Sequence, residues 1–315
     1  MPVTREDLKK DMSADHRAKL QAIFDNSIAN DEWANKIFKK VGILIASYPG
    51  QRAYLKSCVE SHAKLGYFIC LTYDNYIDPK LNVIDHNSFM PDKEILDKVD
   101  LFMLPHHQTW GDVNYPYFWQ LKWGASALQQ FEYIYCINGD FIIEKPEGFE
   151  ELLKIMEDGD FMSCGPDFDD EVSTGAFICR SKAFLQINQY MQDHFIPFDN
   201  YEKYIEMGGA EARMQAAIKH YGLKRVDTPK PNVWDCNYDP QGTWYDLVGL
   251  RHIHGELDYA FKKRLIPPHY EYIEEKYLLP IYNYKKVKEF WDAVDNMETP
   301  CLTCAEWILE DWWRK

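Results

Sequence analysis

The chain has 315 residues, enough to bury a large hydrophobic core, and 15% of them are aromatic, which excludes a disordered chain. Its formal net charge of −15 disfavours general binding to a nucleic-acid backbone, because such binding depends on Lys and Arg neutralising phosphates. No apolar run approaches the roughly 20 residues of a membrane helix, and the charged N-terminus has no apolar signal core. We therefore expect a soluble, cytoplasmic protein without a membrane span.

At the start of the chain, apolar residues recur with helical spacing over residues 4–40. We expect two helices there, packed outside the main domain. From residue 41, apolar runs that predict strands alternate with stretches that have helical spacing. This alternation predicts an α/β fold with parallel strands and right-handed crossovers. The predicted strands are 41–47, 67–73, 101–104 and 133–137, and the clearest helix between them is 115–130.

Beyond residue 146 the pattern changes to shorter and more widely spaced elements. Ser181 is predicted to be the N-cap of a helix that ends near residue 193. Residues 228–250 are rich in Pro, Asn, Asp, Gly and Trp, which predicts a long functional loop. The other predicted elements are helices at 149–156, 256–264 and 270–315, a helix opened by residues 208–211, and strands at 160–164, 172–179, 225–227 and 251–255.

The turn Asn138-Gly139-Asp140 follows the buried strand 133–137 and holds one carboxylate. Ligands of open α/β sheets bind at the carboxyl ends of the strands. A carboxylate there, beside a glycine that lets phosphates approach, suits a divalent cation that bridges a diphosphate. The alternative is a structural turn in which Asn and Asp bind nearby backbone groups.

Several segments occur in one order along the chain: Ser47-Tyr48, Gln51-Arg52-x-Tyr54-Leu55, Asp74, Lys122 with Gly124, Asn138-Gly139-Asp140, Pro146, Ser173-Thr174-Gly175-Ala176-Phe177, Gly208-Gly209-Ala210-Glu211, Tyr221-Gly222 and a late His-x-His. In this order the chain resembles the GT-A class of nucleotide-sugar-dependent glycosyltransferases, nearest to the inverting, family 2-like branch. The resemblance covers roughly residues 41–256. It departs from the family in its metal motif, usually Asp-x-Asp, because the first carboxylate is replaced by Asn138.

The resemblance implies a GT-A, Rossmann-like, mostly parallel sheet flanked by helices, with helical extensions at residues 1–40 and 257–315. Within residues 41–256 it implies a nucleotide-sugar-binding half, 41–146, and an acceptor half, 147–256. The implied activity is a hexosyl- or pentosyltransferase reaction from a nucleotide-diphosphate sugar, with a UDP-sugar as the expected donor, to a hydroxyl acceptor. A divalent metal, Mn²⁺ or Mg²⁺, would stabilise the leaving diphosphate.

The same resemblance implies roles for particular residues. Glu211, which opens a helix after two glycines, would be the catalytic base that takes the acceptor proton. Asp140, Asn138 and His254 would bind the metal. The donor-binding residues would be Ser47, Tyr48, Arg52, Asp74, Lys122, Asn138, Gly139 and Asp140.

His252 and His254 alternate along an extended segment, so their side chains point to opposite faces and one of them can face the site. His254, beside Gly255, is the residue expected there. The loop aromatic residues would either stack on sugar rings or pack against the main domain. These residues are Trp110, Trp234, Trp244 and Tyr245.

Three other functions stay open at the level of the sequence. One is a phage- or virus-type enzyme that glycosylates modified nucleobases, which would need a local basic groove around residues 262–264. Another is a nucleotidyltransferase, although no Gly-rich loop bearing Lys or Arg follows the first strand. The third is a non-catalytic sugar- or protein-binding module on the same scaffold, since fold alone does not decide function.

Overall fold

A computed structural model describes residues 36–37, 39–48, 51–74, 90–104, 114–164, 172–195, 210–226 and 242–252. Most of the predicted N-terminal extension and all of the predicted C-terminal extension lie outside these residues. The domain bounds proposed from the sequence therefore stay predictions. In the described segments, no helix has both the length and the apolar character that crossing a bilayer requires.

Six strands of the described residues form the central sheet, in the order β3-β2-β1-β4-β7-β6. The four strands predicted from the strand–helix alternation pair in parallel, and β7 and β6 then add antiparallel strands beside β4. The predicted mostly parallel α/β sheet is confirmed. The strands are β1 Val41–Ser47, β2 Phe68–Tyr73, β3 Leu101–Met103, β4 Tyr133–Asn138, β6 Phe161–Ser163 and β7 Ala176–Arg180.

A second, two-stranded sheet lies beyond the end of β4. Strand β5, Phe141–Ile143, pairs antiparallel with β8, Leu250–His252, so that Phe141 lies opposite His252. This pairing returns a distant segment of the chain to the turn that follows β4. The helices are α1 Arg52–Ala63, α2 Lys93–Leu96, α3 Asn114–Ala127, α4 Phe149–Met156, α5 Ser181–Phe195, α6 Ala210–Tyr221 and α7 Gly242–Val248.

The hydrophobic core has two parts, one on each face of the central sheet. Because side chains alternate along a strand, Ile43 and Ile45 of β1 face one cluster and Leu44 faces the other. The first cluster contains residues of α1, α4 and α7, and the second contains residues of α3, α5 and α6. Helices on both faces of a mostly parallel sheet are the architecture that the alternation predicted.

The structure corrects several predicted elements after residue 146. The predicted loop 228–250 contains α7 and the start of β8, and its Trp244 is fully buried, 5.8 Å from the Tyr135 ring centroid. Strand β7 begins at Ala176 rather than at residue 172. Arg225 forms an isolated bridge to Phe161 instead of a strand.

Ser181 also differs from its prediction as an N-cap. It is the first residue of α5, and its hydroxyl donates a 2.6 Å hydrogen bond to the Phe131 carbonyl. The residue therefore joins the start of α5 to the segment before β4.

Candidate functional site

The turn Asn138-Gly139-Asp140 connects β4 to β5 at the carboxyl end of the parallel strands. The Gly139 N–H donates to the Ala46 carbonyl at 3.0 Å and lies 3.2 Å from Gln51 Oε1. A Cβ at position 139 would lie 2.4 Å from Ser47 Oγ, closer than real Cβ contacts occur. A larger residue would therefore force Ser47 of β1 to shift, because β1 packs directly against the turn.

Asp140 is buried, with 2% of its surface exposed. Its Oδ2 lies 3.2 Å from His252 Nε2, within hydrogen-bond and ion-pair distance. The His252 ring stacks on Phe141, with centroids 4.4 Å apart and planes parallel. The pairing of β5 with β8 therefore orients an imidazole toward the one carboxylate of the turn.

The structure describes one of the two late histidines of the sequence, His252. His252 lies against Asp140, whereas His254, the residue expected there from the sequence, lies outside the described residues. His252 is thus a functional candidate that the sequence reasoning named but did not choose.

Asn138 is held through its backbone while its side-chain oxygen is not satisfied by the described residues. Its N–H donates to the Gly175 carbonyl at 2.8 Å. Asn138 Oδ1 and Ser47 Oγ are both buried, and neither has a hydrogen-bond partner among the residues that the structure describes. Because a buried polar atom without a partner costs free energy, these two atoms point to a bound ligand or water beside the turn.

Glu211 lies in the first turn of α6, where the helix dipole favours a carboxylate. Its Oε1 accepts a 2.7 Å hydrogen bond from the Thr174 hydroxyl. Thr174 precedes Gly175, whose carbonyl binds the Asn138 N–H. The structure therefore connects Glu211 to the turn through two consecutive residues, Thr174 and Gly175.

The carboxyl ends of β1 and β2 are joined beside the turn. The Asp74 N–H donates to the Ser47 carbonyl at 2.9 Å. The Gln120 amide donates to the carbonyls of Ser47, at 2.5 Å, and Thr72, at 3.0 Å. Asp74 is buried, while Tyr48 is 39% exposed at the same edge of the sheet. Ser47, Tyr48 and Asp74 thus share one edge, as expected for ends of parallel strands.

Two other predicted donor-binding residues are Lys122 and Arg52. The Lys122 ammonium lies 4.6 Å from the ring centroid of Trp119, a cation–π contact on α3. Arg52 begins α1, but its side chain lies outside what the structure describes. Their roles in donor binding stay predictions.

A buried polar network on α1 supports the turn through the Asn138 carbonyl. The Cys58 thiol donates to the Asn138 carbonyl at 3.7 Å. His62 Nδ1 lies 2.8 Å from the Cys58 carbonyl, and its Nε2 lies 3.2 Å from the Tyr135 hydroxyl. A neutral imidazole protonated on Nδ1 satisfies both contacts, because the carbonyl can only accept.

Burial determines how this network titrates. Desolvation lowers the pKa of His62 from 6.5 to about 4, so the imidazole stays neutral at neutral pH. Desolvation, with the neighbouring Asp140 charge, raises the pKa of the Cys58 thiol well above its ordinary value. The support beneath the turn is therefore uncharged.

Sequence reasoning assigned no role to Gln51, Gln120, Thr174 or Tyr117, all of which hold parts of this site. Gln51 and Thr174 belonged to the family-like pattern, but nothing in the sequence identified their partners. Gln120 could have been noticed as a polar residue beside the apolar positions of α3, where it is 3% exposed.

Among the described residues no group of three or more His, Cys, Asp and Glu side chains could hold a metal. Asp140 and His252 are two such groups, and the Asn138 amide oxygen adds a third atom of a different type. Hard cations accept carboxylate and amide oxygens, and Mg²⁺ commonly keeps substrate phosphates among its ligands.

No protein-family model and no curated protein matches the chain. Among solved structures, it is similar to a protein of Desulfovibrio desulfuricans G20 assigned provisionally as a nucleotide-diphospho-sugar transferase. That match has a TM-score of 0.44 and 12% identity, and it covers 80% of this chain and 99% of the other. A 4-diphosphocytidyl-2C-methyl-D-erythritol synthase of Anaerococcus prevotii DSM 20548 matches with a TM-score of 0.35 and 12% identity, over 55% and 84% of the two chains.

Proposed function

We propose that the chain is a glycosyltransferase that moves a sugar from a nucleotide-diphosphate sugar to a hydroxyl acceptor, with inversion at the anomeric carbon. The observation that supports this proposal is the arrangement at the end of β4. A buried Asp140 lies beside His252 and Asn138, and Thr174 and Gly175 connect the same turn to a second carboxylate, Glu211.

The donor would bind along the carboxyl ends of β1, β2 and β4. Asp74, at the end of β2, would contact the base or ribose, and the exposed Tyr48 would line the same pocket. The unsatisfied Ser47 hydroxyl, which packs against Gly139, would donate to one oxygen of the diphosphate. A UDP-sugar remains the expected donor.

A divalent cation would bind at this turn, since carboxylate and amide oxygens suit a hard cation. Asp140 and Asn138 would supply oxygen ligands, and His252, in its neutral form, would supply a nitrogen ligand. His254, which alternation along an extended segment would place on the opposite face, lies outside the described residues and stays a prediction. When bound, Mn²⁺ or Mg²⁺ would act as a Lewis acid toward the charge that develops on the leaving diphosphate. The backbone hydrogen bonds that limit the movement of the turn support this proposed role of Asp140.

Glu211 would be the base of the reaction. The acceptor oxygen forms a bond to the anomeric carbon while the bond from that carbon to the diphosphate oxygen breaks, and the acceptor proton passes to the Glu211 carboxylate. Its Oε1 accepts the Thr174 hydrogen bond, so the other carboxylate oxygen would receive the proton. Direct displacement at one carbon gives inversion.

A thermal-shift panel would test the donor half of the proposal. Wild type and Asp140→Ala are each mixed with UDP-, GDP-, dTDP- and CMP-sugars, in Mn²⁺ or in EDTA. A ligand that binds the native state raises Tm. A free ligand concentration of 100 times Kd stabilises the native state by about 2.7 kcal/mol. We expect a Mn²⁺-dependent shift with one donor class in wild type, which Asp140→Ala loses.

A control variant separates loss of the site from loss of the fold. Glu94→Ala removes an exposed carboxylate of α2 that pairs with Lys56, and neither residue belongs to the proposed site, so its donor-induced shift should equal that of wild type. No shift with any donor would favour the non-catalytic module. A shift that is the same in EDTA would remove the metal from the proposal but keep the donor.

A further inference from the structure

We infer that Thr174 is the positioning residue of Glu211, and that Thr174 and Gly175 together set the placement of the base relative to the donor-binding turn. This inference rests on the proposed function, because it concerns how the proposed base is oriented. It concerns a residue to which the sequence assigned no role.

The hydrogen bond between the two side chains is short and protected. The Thr174 hydroxyl donates to Glu211 Oε1 at 2.7 Å, across 37 positions of the chain. Thr174 is 5% exposed, so water competes poorly for the hydroxyl. Threonine is β-branched and therefore restricted at χ1, which limits where its hydroxyl can point. The bond consequently selects one orientation of the Glu211 carboxylate.

The backbone of Thr174 is itself held. The Tyr117 hydroxyl, from α3, donates a 2.6 Å hydrogen bond to the Thr174 carbonyl. Burial, followed by the nearby Cys136 and Glu211, raises the pKa of Tyr117 well above its usual range, so the phenol stays protonated and keeps donating. The donor to Glu211 is thus attached to a helix of the main domain.

The next residue links this pair to the turn. The Gly175 carbonyl accepts the Asn138 N–H at 2.8 Å, and a Cβ on Gly175 would lie 3.0 Å from the Phe141 ring. Base and turn are therefore separated by a two-residue bridge with hydrogen bonds at both ends. Loss of the Thr174 hydroxyl would free the Glu211 side chain but leave the backbone contact with Asn138 intact.

Thr174→Val tests this role, because valine keeps the β-branched shape and removes the hydroxyl. With the donor found in the thermal-shift panel, we expect kcat to fall about 10- to 100-fold, since displacing a catalytic group by about 1 Å can cost about 100-fold. The donor KM should stay within about twofold of wild type, because the turn is unchanged. Thr174→Ser, which keeps the hydroxyl, should recover kcat to within about threefold of wild type.

A double-mutant cycle with Glu211→Gln separates positioning from a general structural effect. If Thr174 acts through Glu211, Thr174→Val should lower kcat little further in the Glu211→Gln background. An equal loss in both backgrounds, an unchanged kcat in Thr174→Val, or a failure of Thr174→Ser to recover activity would overturn the inference.

A second variant tests the inference if Thr174→Val does not fold. Tyr117→Phe removes the hydrogen bond to the Thr174 carbonyl, and we expect kcat to fall by about 2- to 10-fold at constant KM. An unchanged kcat would contradict the inference.

The activity of Glu211→Gln distinguishes failure of the inference from failure of the proposed function. If Glu211→Gln retains full activity, the proposed base is wrong and the inference fails with it. If Glu211→Gln is inactive and Thr174→Val is fully active, the inference alone fails.

Discussion

The two carboxylates of the proposed site are held in different ways. Asp140 is buried in a turn whose backbone bonds to β1 and to the segment before β7, and whose Asn138 carbonyl accepts the Cys58 thiol. Glu211 is half-buried at the start of a helix, and its orientation depends on the hydroxyl of one other side chain, Thr174. The turn that carries Asp140 is held by main-chain hydrogen bonds, and its carboxylate contacts His252, whereas the Glu211 carboxylate accepts a hydrogen bond from the Thr174 side chain.

Because the two carboxylates are held differently, substitutions at the turn and substitutions around Glu211 should affect different properties: stability and reaction rate. Substitutions that disturb the turn should destabilise the domain, because they affect the packing of β1, β4 and α1 against one another. Substitutions around Glu211 should leave the fold and donor binding intact and lower the rate. A donor site needs a fixed geometry for a diphosphate, whereas a base needs one correct orientation relative to the acceptor.

The largest expected effect is on the rate when Glu211 is replaced. Glu211→Gln keeps the shape and the hydrogen bond from Thr174 but cannot take a proton. Because general-base catalysis contributes about 10²- to 10⁴-fold, we expect kcat to fall by that factor. Asp140→Ala should instead abolish the donor-induced rise in Tm. Both kcat and donor binding should be measured in the two variants. An equal loss of donor binding in Glu211→Gln and Asp140→Ala would contradict the proposed difference between the two carboxylates.

A smaller effect is expected of pH on the free energy of unfolding, because of His62 in the α1 network that supports the turn. Its pKa in the folded protein is about 4, below the 6.5 of an unperturbed histidine, so the unfolded chain takes up a proton first as the pH falls. Its contribution is fully present above pH 6.5 and is lost as the pH falls through 6.5 to about 4. Over this range the free energy of unfolding should fall by about 3 kcal/mol because of His62.

His62→Gln removes the titration but keeps a polar group of hydrogen-bonding size. Urea unfolding between pH 7 and pH 4 should show a wild-type unfolding free energy that falls more steeply than that of His62→Gln. Parallel loss of stability in the two proteins would contradict the assignment of His62 as a buried neutral imidazole.

The smallest effect is expected from a methyl group added at the turn. In Gly139→Ala the new Cβ would lie 2.4 Å from Ser47 Oγ and 2.9 Å from Ser47 Cβ. Overpacking of this kind costs about 1–3 kcal/mol, measured as a change in the urea unfolding free energy.

A matched pair identifies the clash as the cause. Ser47→Gly removes both Ser47 atoms that the new Cβ would meet. The double variant Gly139→Ala with Ser47→Gly should lose less stability than the two single variants added together. Strict additivity would mean that the cost arises elsewhere.

The sequence predicted the parts of this site that depend on local rules. The strand–helix alternation predicted four parallel strands, and the rule that ligands bind at strand ends selected the turn with Asp140. The apolar patterns around Cys58, Cys70, Cys136 and Cys179 in the sequence predict reduced core thiols. All four are buried and free, and Cys164 is as well.

Contacts between distant segments could not be predicted in the same way. His252 and Asp140 are 112 positions apart, and their contact depends on the pairing of β5 with β8. The polar and Pro-rich composition of residues 228–250 predicted a loop, yet residues 242–248 form a helix because Trp244 is buried in the core against Tyr135. In both cases tertiary packing decided what local composition did not.

The central claim, transfer of a sugar with release of a nucleoside diphosphate, is tested most directly by NMR of the reaction. The wild-type protein is incubated with Mn²⁺ and the donor identified by thermal shift, with water as the acceptor, and ³¹P and early ¹H spectra are recorded. We predict a nucleoside diphosphate and a sugar with the anomeric configuration opposite to that of the donor, neither of which forms with Glu211→Gln. Release of a nucleoside monophosphate, or a sugar that keeps the anomeric configuration of the donor, would contradict the account.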